Sequence, residues 1–341
     1  MERVLVTGAG GFIGGHLSKF LKDKGCWVRG VDIKPHKWMD REVFCDEFLL
    51  LDLRNWENTV ESVKGVDRIY NLAANMGGIG YISSKFAPVV YDNISINKNI
   101  LEASRKYDVD RVLFSSSACI YPQHKQNLDY EKMGTEYILK ESDAFPADPD
   151  SFYGWEKLFS EIMFWAYHID YGIDVRIVRY HNIQGPYTEW KEPKSKAPAA
   201  LSRKIAQLPD TGGKIEIWGD GHQVRSFLDI RDCCEATHLT MNASNDQFYS
   251  LGKRDYPRPP ALNVGSDEET TINNLVDILS TIANKKVEKT HNLSKPQGVR
   301  SRNADLTSIE DMLGWRPKHG LNETMTELYN WVNKQVNSIS S

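Results

Sequence analysis

Long apolar runs are missing from this sequence. No stretch of its 341 residues is apolar for long enough to span a bilayer. Nothing near the start has the h-region of a signal peptide, so the expectation is a cytoplasmic protein. Cysteine is scarce and odd in number: five, at positions 26, 45, 119, 233 and 234. With no CxxC pair and no secretory context, a disulfide framework is excluded and reduced thiols are expected. No Cys/His spacing matches a zinc site and no HExxH occurs, so no metal is expected. An excess of basic residues is missing too. The net charge of −4 offers no field for nucleic acid or an anionic membrane. Repeats and low-complexity tracts are absent, and 40% apolar with 26% charged residues is a globular composition. The length allows a sizeable core and two domains.

The first half alternates short β-branched runs with amphipathic stretches. The expected strands are Val4–Thr7, Trp27–Val31, Glu47–Leu51, Arg68–Leu72, Arg111–Ser115 and Val175–Tyr180. Helical patterns such as Ile13–Lys22, Asn93–Lys106 and Gly154–Tyr171 lie between them. Strand and helix in alternation predict an α/β fold with a doubly wound parallel sheet covered on both faces. After residue 181 proline, glycine and charge thicken. The boundary therefore falls there: residues 1–181 form a Rossmann-type domain, and 182–341 mainly a smaller α/β substrate domain. Segments near 227–238 and 261–264 are expected to return to the sheet. Asn242–Pro260 reads as a surface excursion, and the final "NSISS" as a frayed end.

"VLVTGAGGFIGGHL" is strand, glycine turn, helix. Gly8 suits the tight turn, Gly11 admits a pyrophosphate to the backbone, and Gly14 lets helix and strand pack closely. The first-turn N–H groups, around Phe12 and Ile13, then face the phosphates at the positive end of the helix. Asp32, ending the next strand, suits the two hydroxyls of an adenosine ribose and repels a 2′-phosphate, which favours NAD over NADP. Asp52, past the third strand, reads equally as an adenine contact or a helix cap.

"SFYGWEKLFSE" puts Tyr153 and Lys157 four apart on one helical face. A tyrosine is a poor base near neutrality, but an adjacent ammonium and an oxidised nicotinamide both favour its phenolate. The pair can then take a hydroxyl proton while hydride leaves the same carbon. Ser117, at the end of the "LFSSS" strand, can hold that hydroxyl.

With "TGAGGFIG", "NLAA" at Asn71–Ala74, "SSSA" at Ser115–Ala118 and "YGWEK" at Tyr153–Lys157, the chain resembles the extended short-chain dehydrogenase/reductase family. The resemblance implies a Rossmann domain, a small C-terminal substrate domain, bound NAD(P), a nucleotide-sugar substrate and often a homodimer. In longer stretches, including "NLAANMGGIGYI", "SSACIYP", "HNIQGP", "KAPAAL", "WGDGHQVRSF", "NVGSDE" and "GVRSRNADL", it resembles the branch that epimerises GDP-hexoses. That branch implies GDP-mannose, inverted at carbons 3 and/or 5 through a transient 4-keto sugar. Carbons 3 and 5 lie α to such a ketone, so inversion needs one proton-transfer group on each face of the ring.

Cys119 and Lys196 are the couple the resemblance implies, with Tyr153 and Lys157 in the oxidation. On spacing alone Cys119 reads as readily as a small packing residue, and Lys196 as a solvated loop lysine. The resemblance further implies sugar contacts from Gly77, Ser117 and Asn182, flanked by Ala118, Ser195 and Ala197. It implies nucleotide or phosphate contacts from Lys204, Gln223, Arg225 and Arg302. "GGIG" at Gly77–Gly80 is expected to bring backbone to the sugar ring. Trp218 reads as core, and His181 as either site or core. Three features depart from the branch: Asn75 stands where an acid is expected, and the segments 123–143 and 242–260 are long. A plain carbon-4 epimerase would need no thiol at 119. A non-catalytic NAD sensor would not need the Ser117, Tyr153, Lys157 set.

Overall fold

The computed structural model describes residues 1–128, 137–191, 194–251, 258–295 and 297–340. Val4, Leu5 and Val6 are fully buried in β1 (Arg3–Thr7), an unbroken apolar run of the kind a strand needs when both faces are covered. The strands β2 (Trp27–Asp32), β3 (Glu47–Leu50), β4 (Arg68–Asn71), β5 (Arg111–Ser117) and β6 (Asp174–Tyr180) follow. With Leu262–Val264 they make a seven-stranded sheet in the order Leu262–Val264, β6, β5, β4, β1, β2, β3. Every pairing is parallel. The doubly wound sheet expected from the alternating pattern is therefore present. Strand order reverses between β1 and β4, which opens a crevice beyond their carboxyl ends.

Helices cover both faces. Helix α1 (Phe12–Asp23) and the helix Ile230–Asn242 pack Leu17, Leu21, Cys233 and Ala236 against Val4, Val6 and Val28. On the other face, Ile100 and Phe164, from the helices Phe86–Lys106 and Phe152–Tyr171, meet Leu5, Ile69 and Val112. A third cluster lies in the chain after β6. It joins the helices Ala197–Ala206, Ile272–Ala283 and Leu321–Ser340 to the parallel pair Gly213–Trp218 and Val287–Asn292.

Three expectations need correction. The helix read from Asn93 begins at Phe86, with Pro88 inside its first turn. Part of the supposed surface excursion is a short helix, Asn245–Tyr249. Its Phe248 is fully buried and its ring lies 4.7 Å from the Arg176 guanidinium. Residues 252–257 of that stretch, and 129–136 of the long segment after Pro122, lie outside the described residues. The last helix takes in all but the final residue of "NSISS", running to Ser340, and Ser341 lies outside the described residues.

Candidate active site

The glycine turn is built as a cradle. Gly8 has φ +73°, and a Cβ on Gly14 would lie 2.1 Å from the Gly8 carbonyl oxygen, so only glycine lets α1 start this close to β1. Gly11 caps α1 with no side chain of its own to take the first-turn N–H groups, Phe12 and Ile13 among them. The sequence reading missed Gly10. Its N–H donates to Asp32 Oδ2 at 3.1 Å, and a Cβ there would strike the Lys34 carbonyl at 2.1 Å. Burial raises the pKa of Asp32, opposed by bonds from the Lys34, Ile33 and Gly10 N–H groups. Asp52 is gripped by Arg54, at 2.6 Å from Nη2, and this holds its carboxyl below the usual range. It does not cap the next helix; Asn55 does.

Beyond the sheet's carboxyl ends lies a cavity of about 960 Å³, walled on its other side by the chain after β6. Ser117 ends β5 and caps a turn of 3-10 helix, Ala118–Ile120, its Oγ accepting from the Cys119 N–H at 3.2 Å. Ser117, Ala118 and Cys119 all line the cavity, as does Tyr153. The helix that carries Tyr153 presses on this turn so closely that a Cβ at Gly154 would meet the Cys119 carbonyl at 2.2 Å. Burial pushes the Tyr153 phenol well above its ordinary value, while a hydrogen bond with Ser117 works in the opposite direction. Lys157 does not line the cavity. It is buried behind the tyrosine, with Nζ donating to the Ser115 carbonyl at 2.9 Å and lying 5.7 Å from the Tyr153 ring centre. Desolvation lowers its pKa. Without NAD, burial is the largest influence on the Tyr153 phenol.

Lys196 lines the same cavity from the chain after β6, at the N-cap of the helix Ala197–Ala206. Desolvation pulls its ammonium below the usual lysine pKa; the nearby Arg302 also lowers it, and Cys119 opposes. Ser195 and Ala197 flank it on the cavity surface. The preceding loop is docked by Gly78, where a Cβ would lie 2.6 Å from the Ser195 carbonyl. The glycine pair therefore brings backbone to this loop, while Gly77 itself lines the cavity. Asn182, with φ +40°, also lines it and ties the wall together through Nδ2 to the Ser226 carbonyl at 3.0 Å.

Lys204, Gln223 and Arg225 line the far end. Lys204 donates to the Glu216 carbonyl at 2.7 Å and Arg225 to the Val299 carbonyl at 2.8 Å. Gln223 Oε1 is buried with no protein partner. Trp218, expected in the core, is half-buried and stands in the cavity wall. His181 is core: its Nε2 meets Asn263 Oδ1 at 3.0 Å, and burial takes its pKa to about 3. Arg302 lines the cavity, yet its Nη1 donates to the Cys119 sulfur at 3.1 Å. Asn75 stands next to an acid instead of being one. Its Nδ2 donates to Asp92 Oδ2 at 2.8 Å, so a carboxylate at 75 would face a like charge. Sequence reasoning also missed Gln184, which lines the cavity with a buried, unpartnered Oε1.

Residues 4–252 match the model of a family described as the NAD dependent epimerase/dehydratase family. The chain belongs to that family. It is 41% identical over 334 residues to GDP-mannose 3,5-epimerase of Arabidopsis thaliana, covering 98% of this chain and 83% of that one. GDP-mannose 3,5-epimerase 1 of Oryza sativa subsp. japonica is 40% identical, with 98% and 82% covered. Among solved structures, UDP-glucose 4-epimerase of Thermotoga maritima superposes with a TM-score of 0.81 at 24% identity, covering 98% of this chain and 99% of that one. The groove fits the family's cofactor. The Gly8–Gly14 cradle leaves backbone N–H groups open to a pyrophosphate, and Asp32 offers carboxylate lone pairs to a ribose diol.

Proposed function

We propose that this NAD-dependent epimerase acts on GDP-mannose, inverting carbons 3 and/or 5 through a 4-keto sugar. Gly8, Gly11, Phe12, Ile13, Gly14, Asp32 and Asp52 would hold the NAD. Bound NAD supplies hydride exchange at carbon 4. Tyr153 takes and returns the proton of the carbon-4 hydroxyl, Ser117 holds that hydroxyl, and Lys157 supports the phenol from behind. Cys119 and Lys196 remove and return protons at the carbons beside the ketone, one from each face of the ring. Lys204, Gln223, Arg225 and Arg302 hold the nucleotide and diphosphate.

One observation carries this reading. A thiol and a desolvated amine share a cavity with the Ser117–Tyr153 pair, and the charge of the thiol acts on the amine. A carbon-4 epimerase has no use for that couple. The chemistry predicts deuterium at carbon 5 or carbon 3 after incubation with GDP-mannose and NAD in deuterated water, read by NMR. Turnover that leaves both carbons unlabelled would instead identify a carbon-4 epimerase, and no product at all would leave a binding protein.

A homodimer belongs to the same proposal. Phe152, Trp155 and Phe159 are exposed along the Tyr153 helix, and Tyr91 is 71% exposed on the helix beside it. Aromatic side chains in such a row favour burial against a second copy. Sedimentation at the mass of two chains is expected, falling to one in Phe159→Glu; a wild-type monomer would refute it. Five cysteines, all unpaired, support a cytoplasmic location.

A further inference from the structure

The Cys119 sulfur is gripped by an arginine that is itself gripped. Arg302 Nη1 donates to the sulfur at 3.1 Å, Nε to Gln126 Oε1 at 2.6 Å and Nη2 to Asp150 Oδ2 at 2.5 Å. These bonds engage three of the five N–H donors of the guanidinium. Gln126 is neutral; Asp150 is the carboxylate partner. The pair is mostly buried, with side chains 12% and 19% exposed. Asp150 then reaches a second element. Its Oδ1 accepts from Ser151 Oγ at 2.9 Å, and Ser151 Oγ accepts from the Gly154 N–H, capping the helix that carries Tyr153. One carboxylate thus spans the arginine behind the thiol and the cap of the helix bearing the phenol.

We propose that Asp150 is a positioning residue for proton transfer, holding the Cys119 sulfur in place through Arg302. This rests on the reading of Cys119 as a proton-transfer group. An arginine side chain has many rotamers, and the ion pair with a carboxylate holds the guanidinium more strongly than its bond to the uncharged amide of Gln126. Without the carboxylate, the guanidinium keeps only its weaker anchor, and its N–H leaves the sulfur. A displacement of about 1 Å at a reacting group can cost about 100-fold in rate. The oxidation at carbon 4 does not use the thiol, so it should escape this loss.

The test compares wild type with Asp150→Asn, which keeps the shape and an oxygen for Ser151, and with Asp150→Glu, which restores a carboxylate. In Asp150→Asn, deuterium incorporation from solvent into GDP-mannose should fall about 100-fold. Bound NADH formed at saturating GDP-mannose should stay within about twofold, since the redox groups are untouched and saturation offsets any weaker hold by Arg302 on the substrate. Asp150→Glu should recover part of the exchange. Alkylation of Cys119 by iodoacetamide without substrate, followed by the mass of its peptide, should slow about fivefold in Asp150→Asn, because reactive thiols depend on a cationic neighbour. Equal loss of exchange and NADH formation would make Asp150 a helix-cap residue only and overturn the proposal. Unchanged exchange and alkylation would overturn it as well. A wild type that exchanges no deuterium, with alkylation still slowed in the variant, would sink the reaction assigned to Cys119 while upholding the hold on its sulfur.

Discussion

Cys119→Ser is expected to stop carbon inversion while carbon-4 oxidation continues. Serine fits the site: the turn is held by the Cys119 backbone N–H on Ser117 Oγ, which the substitution leaves alone. The packing of Gly154 involves the carbonyl of residue 119, not its side chain. What changes is acidity. A thiol titrates near about 8.5, whereas an alcohol does not ionise in the working range. General acid–base groups contribute about 10² to 10⁴ in rate, so deuterium entry at carbons 3 and 5 should fall by that factor. NADH formed on mixing GDP-mannose with the NAD-loaded protein should persist, because Tyr153 and Ser117 are unaltered. Near-normal inversion in Cys119→Ser would make the thiol a packing residue and leave Lys196 without a partner.

How far this site could be read from sequence depended on how local its parts are. The dinucleotide turn is contiguous, and Tyr153 and Lys157 share one helix, so spacing and the strands around them singled these residues out. Buried parallel strands announce themselves as unbroken apolar runs, which is why β1 to β6 were found to within two residues at either end. The helix start at Phe86 was hidden by Pro88, which breaks a helix interior but fits a first turn. Cys119 and Lys196 come from separate segments, and nothing in spacing alone brings two walls of a cavity together; the family resemblance did. Asp150 escaped notice because its partner Arg302 lies 152 residues away. Trp218 escaped because a tryptophan in a strand reads the same in a core or a cavity wall. The polar stretch holding Asn245–Tyr249 misled because its anchors, the buried Phe248 ring and the Tyr249 hydroxyl on Asp174, are two residues in an otherwise polar run.

Tyr153→Phe should abolish every step, not one of them. No ketone means no acidic proton at carbons 3 and 5, so NADH formation and deuterium exchange should disappear together, each by about 10³-fold or more. This joint loss separates the phenol from the thiol, whose removal spares the first step. The pH dependence follows from the geometry. Burial is the largest influence on the Tyr153 phenol, the charges of Cys119 and Glu156 add to it, and the pKa lies well above the ordinary 10. The active form toward a hydroxyl proton is the phenolate, and kcat/KM reports the free protein. On the limb controlled by Tyr153, kcat/KM of the NAD-loaded protein should rise with pH, approaching about tenfold per unit below the phenol's pKa, which the oxidised nicotinamide moves down against the effect of burial. In Tyr153→Phe the residual rate should lose that limb. If the phenylalanine variant kept a tenth or more of wild-type turnover, or kept the rising limb, another group would be taking the carbon-4 proton. The buried Lys157, with its ammonium on the Ser115 carbonyl, would be the next side chain to test.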